Sequence, residues 1–434
     1  MNTFIKGPQV FTCILLLTMN SLGWGRVIED FDLYKLSDRW TASSGMVLTR
    51  SIVPNTVIHE GVDGRILKVQ ASAGGYFATK SNFPNFSFDS FKDIKFRLNA
   101  KYVSNQNPII FEFQVFATGR KAWRWRKVEI KKSGWQTVVL PLRFFRHSPA
   151  TFLKWENTRR FAFRFRNAGE IEFDKIELIK GSSNALSCKL SPEELSDIAF
   201  GKNGKVYRSG KFFVISDVAG LESDKILSAL ETFDELFSSD FPEDGKGDLF
   251  VPLLIFKSKK SYQEFWAILS SKFNSSGPFP NSDGYAMLGI AGSYFDSEYG
   301  LVRPVYSHEV CHALIARRFG IASQGGWLQE GLANYYQLKW GEKDTSIYAK
   351  NLLTNRRLVP LANLLDGSPV GMKNYAQVVL FYEWILATRK DRIGGVIRGV
   401  VKQGSSNLEP LAQAYLGQSI VGLEKEWIQW LKSR

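Results

Sequence analysis

Long apolar runs and cysteines are scarce in this 434-residue chain, and each scarcity excludes a class of protein. No apolar run reaches the roughly 20 residues of a membrane-spanning helix, so we do not expect an integral membrane protein. Three cysteines are too few to staple a chain of this length, which excludes a disulfide scaffold. The composition is otherwise globular, and the length predicts two or three domains.

Acidic residues are sparse in the N-terminal part of the chain. Residues 26–180 contain 27 Lys and Arg against 15 Asp and Glu, a net charge of +12. Residues 181–434 contain 28 against 27 and are nearly neutral. This asymmetry indicates either two modules with different partners or one basic module that docks on an anionic partner.

The first 25 residues have the pattern of a signal peptide. Lys6 precedes a short apolar core over Val10–Met19, and small residues follow at Ser21, Gly23 and Gly25. We therefore predict an exported protein, periplasmic or secreted, with no membrane span after cleavage; an uncleaved N-terminal anchor is the alternative. Export makes nucleic acid a poor match for the basic module and favours anionic envelope polymers or lipid headgroups.

Residues 26–180 show the alternation of short β-strands, with turn residues such as Ala73-Gly74-Gly75 between them. Several strands of this kind predict an all-β sandwich or barrel. In the segment 160–166, Phe161, Phe163 and Phe165 occupy alternate positions, so their rings share one face of the strand. We predict a linker over residues 181–204.

Beyond the linker, residues 205–434 begin with mixed strands and helices and continue mostly as helices. Among these elements we predict one strand over Gly284–Phe295 and helices over Pro304–Phe319, Gly326–Gly341 and Asn374–Arg389. This order indicates a multidomain protein whose C-terminal domain is α+β with a helical lower lobe, and a cleft between the two parts.

The segment His308-Glu309-Val310-Cys311-His312 contains two of the four histidines of the chain. Residues four apart lie on one face of a helix, so both imidazoles can reach one metal ion at about 2.0–2.1 Å. Glu309 is offset around the helix, where it can hold a water molecule beside that metal. The spacing therefore predicts a metal site with a general base next to it.

A catalytic zinc site has three protein ligands, and the third here must be a carboxylate. His59 and His147 belong to the β module, and no histidine follows His312. Glu330 lies 18 residues beyond His312, and the glycines between them can turn the chain so that a second helix returns beside the first. We therefore expect Glu330 to complete the site.

The pattern His-Glu-x-x-His followed by Trp-x-x-Glu-Gly-x-Ala-x-Tyr resembles the gluzincin clan of zinc metallopeptidases, and in particular the bacterial peptidase MA-like domains. The similarity extends over about residues 205–434 and implies a zincin-like fold. It implies that His308, His312 and Glu330 bind Zn²⁺, and that Glu309 is the general base in the hydrolysis of a peptide or protein substrate.

The same resemblance implies two further features. A strand before the metal helix, here about Gly284–Gly292, lines the substrate cleft and pairs with an extended peptide. A tyrosine stabilises the oxyanion, and Tyr375 is the candidate. The competing tyrosines are Tyr335, Tyr336 and Tyr382.

The N-terminal module resembles a galactose-binding-like jelly roll of the complex I intermediate-associated type, through Trp135-Gln-Thr-Val-Val-Leu-Pro and Gly169-Glu-Ile-Glu-Phe-Asp. Jelly rolls of this kind bind sugars through exposed aromatic residues. Trp123 and Trp125 share one strand face, and the arginines between and after them share the other. Either the Trp rings form a platform for a glycan or polyanion, or they belong to the core. We favour the core, because Trp is usually buried.

Two functions follow from these patterns. The first is an exported zinc metallopeptidase. The alternative is a glycan- or polyanion-binding envelope protein whose peptidase-like domain is inactive and stabilised by zinc. Glu309 discriminates between them, since a structural site needs the three ligands and not that carboxylate.

Overall fold

The computed structural model describes residues 26–29, 39–52, 65–80, 88, 91–117, 123–142, 145–147, 155–180, 190–241, 250–272, 282–287, 289–321, 325–354 and 358–434. An N-terminal all-β sandwich is followed by a region of mixed strands and helices. The predicted signal peptide lies outside the described residues. Among those residues no helix is long and apolar enough to cross a membrane.

Within the described residues, the sandwich consists of two antiparallel sheets of six strands each. The first sheet has the order β3-β4-β12-β6-β9, with β1 paired to β12, and the second has the order β10-β8-β7-β11-β5-β2. The strands are β1 (Arg26–Glu29), β2 (Trp40–Ala42), β3 (Val47–Ile52), β4 (Arg65–Ala71), β5 (Tyr76–Thr79), β6 (Phe91–Ala100), β7 (Ile109–Ala117), β8 (Trp123–Ile130), β9 (Gly134–Pro141), β10 (Arg146–His147), β11 (Thr158–Phe165) and β12 (Gly169–Lys180).

The core between the two sheets is rich in phenylalanine. The predicted row Phe161, Phe163 and Phe165 is fully buried, and Arg164 between them is exposed, as the alternation in sequence required. Phe163 stacks edge-on against Phe113 of the neighbouring strand, with ring centroids 4.9 Å apart. Such aromatic pairs add to the stability that their buried area already provides.

Strand β8 is oriented opposite to the interpretation favoured from its sequence. Arg124 is fully buried and Arg126 is 8% exposed, whereas Trp123 and Trp125 are only half-buried. The register explains the inversion, because Arg126 lies opposite Phe113 and the even-numbered face continues into the apolar end of the strand. Burial lowers the pKa of Arg124 to about 9 and that of Arg126 to about 10.

In the part of the second region that the structure describes, five strands form a mixed sheet of order β13-β14-β15-β17-β16. Strands β14, β15 and β17 are parallel, and the two outer strands pair antiparallel with their neighbours. The strands are β13 (Lys205–Ser209), β14 (Phe212–Ser216), β15 (Val251–Phe256), β16 (Gly284–Met287) and β17 (Ile290–Tyr294).

The predicted single strand over Gly284–Phe295 is wrong, because this segment forms a hairpin of β16 and β17. Gly289 between them has a φ of +72°, a left-handed conformation that lets the chain reverse direction. The edge strand is therefore only Gly284–Met287, and Gly292, which was expected at the cleft, lies in the inner strand β17.

Helices cover both faces of this sheet. Val251, Leu253 and Ile255 of β15 join the larger core on one face, while Leu254 and Phe256 join a smaller core on the other. This explains why every residue of β15 is buried. The α-helices of four or more residues in the described part of the chain are α1 (Pro192–Phe200), α2 (Ser223–Asp240), α3 (Lys259–Lys272), α4 (Pro304–Phe319), α5 (Trp327–Trp340), α6 (Ser346–Thr354), α7 (Leu361–Leu364), α8 (Tyr375–Gln403) and α9 (Ile420–Lys432).

Two helices differ from the sequence prediction: one lies where a linker was predicted, and the other continues past its predicted end. Helix α1 lies within the predicted linker 181–204, and its capping box, in which Ser191 and Glu194 each accept from the other's backbone N–H, is a signal that the prediction overlooked. Helix α8 was expected to end at Arg389. That residue does leave helical geometry, with φ −146° and ψ 35°, but the helix resumes and continues to Gln403.

Candidate metal centre

Helix α4 carries the two predicted histidine ligands. Pro304 opens the helix at a position where its missing N–H costs nothing, and Gly320 ends it in a left-handed conformation. His308 and His312 lie one turn apart, and their Nε2 atoms are 3.1 Å from each other. The two rings therefore point at one position.

Helix α5 supplies Glu330 from its first turn, where the positive end of the helix dipole favours a carboxylate. The indole N–H of Trp327 donates to the backbone oxygen of Ser406, which fixes the start of this helix. Glu330 Oε2 lies 3.7 Å from His308 Nε2, and Glu330 Oε1 lies 3.6 Å from His312 Nε2. The predicted third ligand thus faces both histidines.

These three residues form a group that could hold a metal ion, with all ligand atoms within 4.8 Å of one another. Tetrahedral zinc ligands at 2.0–2.1 Å from the metal lie about 3.3 Å apart, and the observed separations of 3.1, 3.6 and 3.7 Å bracket that spacing. Two imidazoles and one carboxylate are also a donor set that zinc accepts. The residues present therefore fit the metal.

Metal binding requires a histidine in its neutral form, and the surroundings of His308 favour that form. Burial, and then the neighbouring ring of His312, lower the pKa of His308 to about 3. His312 is only 4% exposed. His308 consequently offers an unprotonated nitrogen over the whole neutral range of pH.

Glu309 lies beside the ligands and against the edge strand. Burial, and then the negative charge of Glu330, raise the pKa of the Glu309 carboxyl well above its usual range. A Cβ atom placed on Gly284 of β16 would lie 2.7 Å from both Cγ and Oε1 of Glu309. The carboxyl group therefore packs directly against the first residue of β16.

Tyr375 lies next to Glu330, whereas the competing tyrosines have other surroundings. Burial raises the pKa of Tyr375, and the charge of Glu330 and a hydrogen bond to it act in the same direction. Tyr336 donates to Asp240 Oδ2 at 2.7 Å, and Tyr382 is fully buried against Trp327. Tyr335 is close to the charge of Asp240.

Sequence reasoning missed two glutamines of α5 that contact the histidines. Oε1 of Gln337 lies 3.0 Å from Nδ1 of His308, and Oε1 of Gln329 lies 3.0 Å from Nδ1 of His312. The signal was present in the spacing, because Gln337 follows Glu330 by seven residues and so shares its helix face.

The other two histidines belong to the N-terminal part of the chain. His147 belongs to β10 of the sandwich, and His59 lies outside the described residues. Cys311 is a free thiol that is fully buried in the core of the second region.

The N-terminal sandwich is similar to solved carbohydrate-binding modules. The family 11 module of a cellulosomal cellulase from Clostridium thermocellum is 20% identical with a TM-score of 0.28, and the match covers 37% of this chain and 97% of that one. The CBM22-1 xylan-binding domain from Paenibacillus barcinonensis is 12% identical with a TM-score of 0.24, covering 36% and 94%. No protein-family model matches the chain, and no curated protein matches it.

Proposed function

We propose that this protein is an exported zinc-dependent metallopeptidase whose metal ligands are His308, His312 and Glu330 and whose general base is Glu309. The observation that carries the proposal is the convergence of the three ligand atoms beside a buried carboxyl group that is not itself a ligand. A structural metal site has no use for Glu309 at this position. The resemblance of the two sequence motifs to gluzincin peptidases points to the same chemistry.

When bound, zinc polarises a carbonyl oxygen and makes a water molecule more acidic. Glu309, whose carboxyl group packs against Gly284, would act as the general base that takes a proton from the attacking water and gives it to the leaving amine. The Tyr375 hydroxyl, beside Glu330, donates to the oxyanion that develops on the substrate.

Strand β16 is the candidate substrate-binding edge. In the described part of the chain it pairs with β17 alone, so its other edge offers backbone groups to an extended peptide. Its first residue, Gly284, touches Glu309, so a peptide added at this edge would lie close to the base. Main-chain pairing of this kind gives affinity without strong dependence on the peptide sequence.

The experiment pairs metal content with cleavage of a mixed peptide library. We expect about one zinc per chain in the wild type, and cleavage that is lost in Glu309→Gln while zinc is retained. Glu193→Gln, a change at an exposed glutamate of α1, is the matched control and should cleave like the wild type. Zinc without cleavage in any of the three proteins, or no zinc at all, would contradict the proposal.

The second candidate function is glycan binding by the sandwich, and the orientation of β8 favours it. Trp123 and Trp125 face away from the core, and Trp125 lies between Gln114 on one neighbouring strand and Arg146 on the other. The Arg146 guanidinium is 5.7 Å from the centre of the Trp125 ring. An aromatic ring flanked by amide and guanidinium groups is a surface on which a sugar can stack and form hydrogen bonds.

Binding to polysaccharides tests this second function. Mixed-linkage β-glucan and xylan are the probes, because one similar module was solved with a mixed-linked tetrasaccharide and another is named for xylan. Trp125→Ala should lose binding, whereas Trp135→Ala, a change at a half-buried Trp of the other sheet, should not. Equal binding by both variants would exclude this face. Binding to dextran sulfate that weakens with salt would indicate a polyanion instead.

A further inference from the structure

We propose that Gln329 and Gln337 are the positioning residues of the metal site, and that they orient both histidines through neutral amide groups. The inference rests on the metal site of the proposed function. It concerns what determines the affinity and the geometry of zinc binding, so it can be tested without measuring peptide cleavage.

The amide of Gln329 has its orientation fixed by a second contact. Its Nε2 donates to the backbone oxygen of Ile321 at 2.6 Å, which leaves Oε1 facing Nδ1 of His312 at 3.0 Å. An amide oxygen only accepts hydrogen bonds, so Nδ1 carries the proton of the ring. The other nitrogen, Nε2, is then unprotonated and points toward the metal position.

The same tautomer follows for His308. Its Nε2 faces the position shared with His312 and Glu330, so Nδ1 must carry the proton and requires an acceptor. Oε1 of Gln337 supplies that acceptor at 3.0 Å. Without it, a half-buried N–H would lose its partner and the ring would be free to turn away from the metal.

All of the orienting groups belong to one helix. Helix α5 contributes the ligand Glu330 and both glutamines, while α4 contributes the two histidines. The pairs 308–337 and 312–329 run in opposite order along the chain, so the two helices are antiparallel at the site. Because the acceptors are amides, they add no negative charge near Glu309 and Glu330, as a carboxylate in the same position would.

Zinc affinity of the full-length protein, measured by competition with a chromophoric chelator, tests the proposal. Gln337 is the position to change, because it is only half-buried and replacement there perturbs the core least. Gln337→Leu should weaken zinc binding by about 10- to 100-fold and shift the visible absorption bands of the Co²⁺-loaded protein. Gln263→Leu, at a half-buried glutamine of α3, is the matched control and should bind like the wild type.

Gln337→Glu separates hydrogen bonding from packing. A carboxylate also accepts from Nδ1–H, so this variant should regain the affinity that leucine loses. Gln337→Met repeats the comparison with an unbranched side chain if the leucine variant does not fold. Two results would overturn the inference. In the first, Gln337→Leu binds zinc as tightly as Gln263→Leu; in the second, Gln337→Glu binds zinc as weakly as Gln337→Leu. Zinc binding without cleavage in the wild type would contradict the proposed function alone.

Discussion

Gly284→Ala should displace the general base while leaving the metal site intact. The new Cβ would overlap Cγ2 of Val305 and would lie 2.7 Å from Cγ and Oε1 of Glu309. Ordinary carbon contacts begin near 3.5 Å, so the Glu309 side chain must retreat by about 1 Å. The overlap with Val305 must be relieved as well, and a change of its rotamer costs free energy because a β-branched side chain on a helix has one preferred rotamer.

A displacement of Glu309 by about 1 Å should affect both the rate of cleavage and the stability of the protein. Misplacing a reacting group by about 1 Å can cost about 100-fold in rate, and overpacking of this kind costs about 1–3 kcal/mol of stability. We therefore expect kcat/KM for a library-derived peptide to fall by about two orders of magnitude, with only a modest fall in Tm. Zinc content should be unchanged, because none of the three atoms nearest to the new Cβ belongs to a metal ligand.

The control is Gly394→Ala in the middle of α8. There the nearest atom to a new Cβ is the flexible end of Arg398, at 3.5 Å, so the substitution fits and should stabilise the helix slightly. Wild-type cleavage by a zinc-loaded Gly284→Ala protein would refute the reasoning, since it would show that the contact with β16 does not determine where Glu309 acts.

Three other substitutions have specific expected outcomes. Tyr375→Phe should lower kcat by about 100-fold with zinc retained, as for other lost oxyanion donors, while Tyr335→Phe should not; equal rates would exclude the role. Gly331→Ala should cost about 1–3 kcal/mol in thermal unfolding, because its Cβ would overlap the Tyr382 ring and α8 would have to move away. Burial opposes ionisation of Asp240, but hydrogen bonds from a lysine and a tyrosine hold its pKa below its usual range. The ionised Asp240 carboxylate therefore stabilises the fold above the pKa that Asp240 has in the unfolded chain, and this stabilisation is lost as the pH falls through the pKa of the folded protein. The wild type should lose stability below about pH 4, and Asp240→Asn should lose less of it over the same range.

The two histidines of the candidate metal site could be predicted because their arrangement is local. His308 and His312 are placed by helix geometry alone, and Pro304 and Gly320 mark the ends of that helix in the sequence. The prediction of Glu330 required one further step, the return of the chain through glycines, and in the structure its carboxyl group faces both rings. The glutamines were missed because their partners lie on another helix. The spacing of Gln337 from Glu330 specifies its helix face but not the side chain that it contacts there, and Gln329 has no such spacing.

The hairpin of β16 and β17 could not be predicted from the sequence for a different reason. The segment 284–295 is apolar and strand-like throughout, so its alternation contains no break. The reversal depends on the left-handed conformation of Gly289, and an isolated glycine in a strand pattern is equally typical of a bulge or a close backbone approach. Which of these occurs is decided by pairing with β15, and that pairing joins residues far apart in the chain.

Strand β8 shows why residue type alone is a weak guide to which face of a strand is buried. Whether the odd- or the even-numbered residues of a strand face the core depends on all of its residues together. In β8, Val128 and Ile130 share the face of Arg124 and Arg126. A slip by one residue would have exposed both apolar side chains and broken the register of Phe113 with its neighbours. Burying two guanidinium groups is costly, but the Arg124 guanidinium packs 4.8 Å from the centre of the Trp155 ring. Because the even-numbered face of β8 is buried, Trp123 and Trp125 face outward. This is the arrangement that a glycan-binding surface needs.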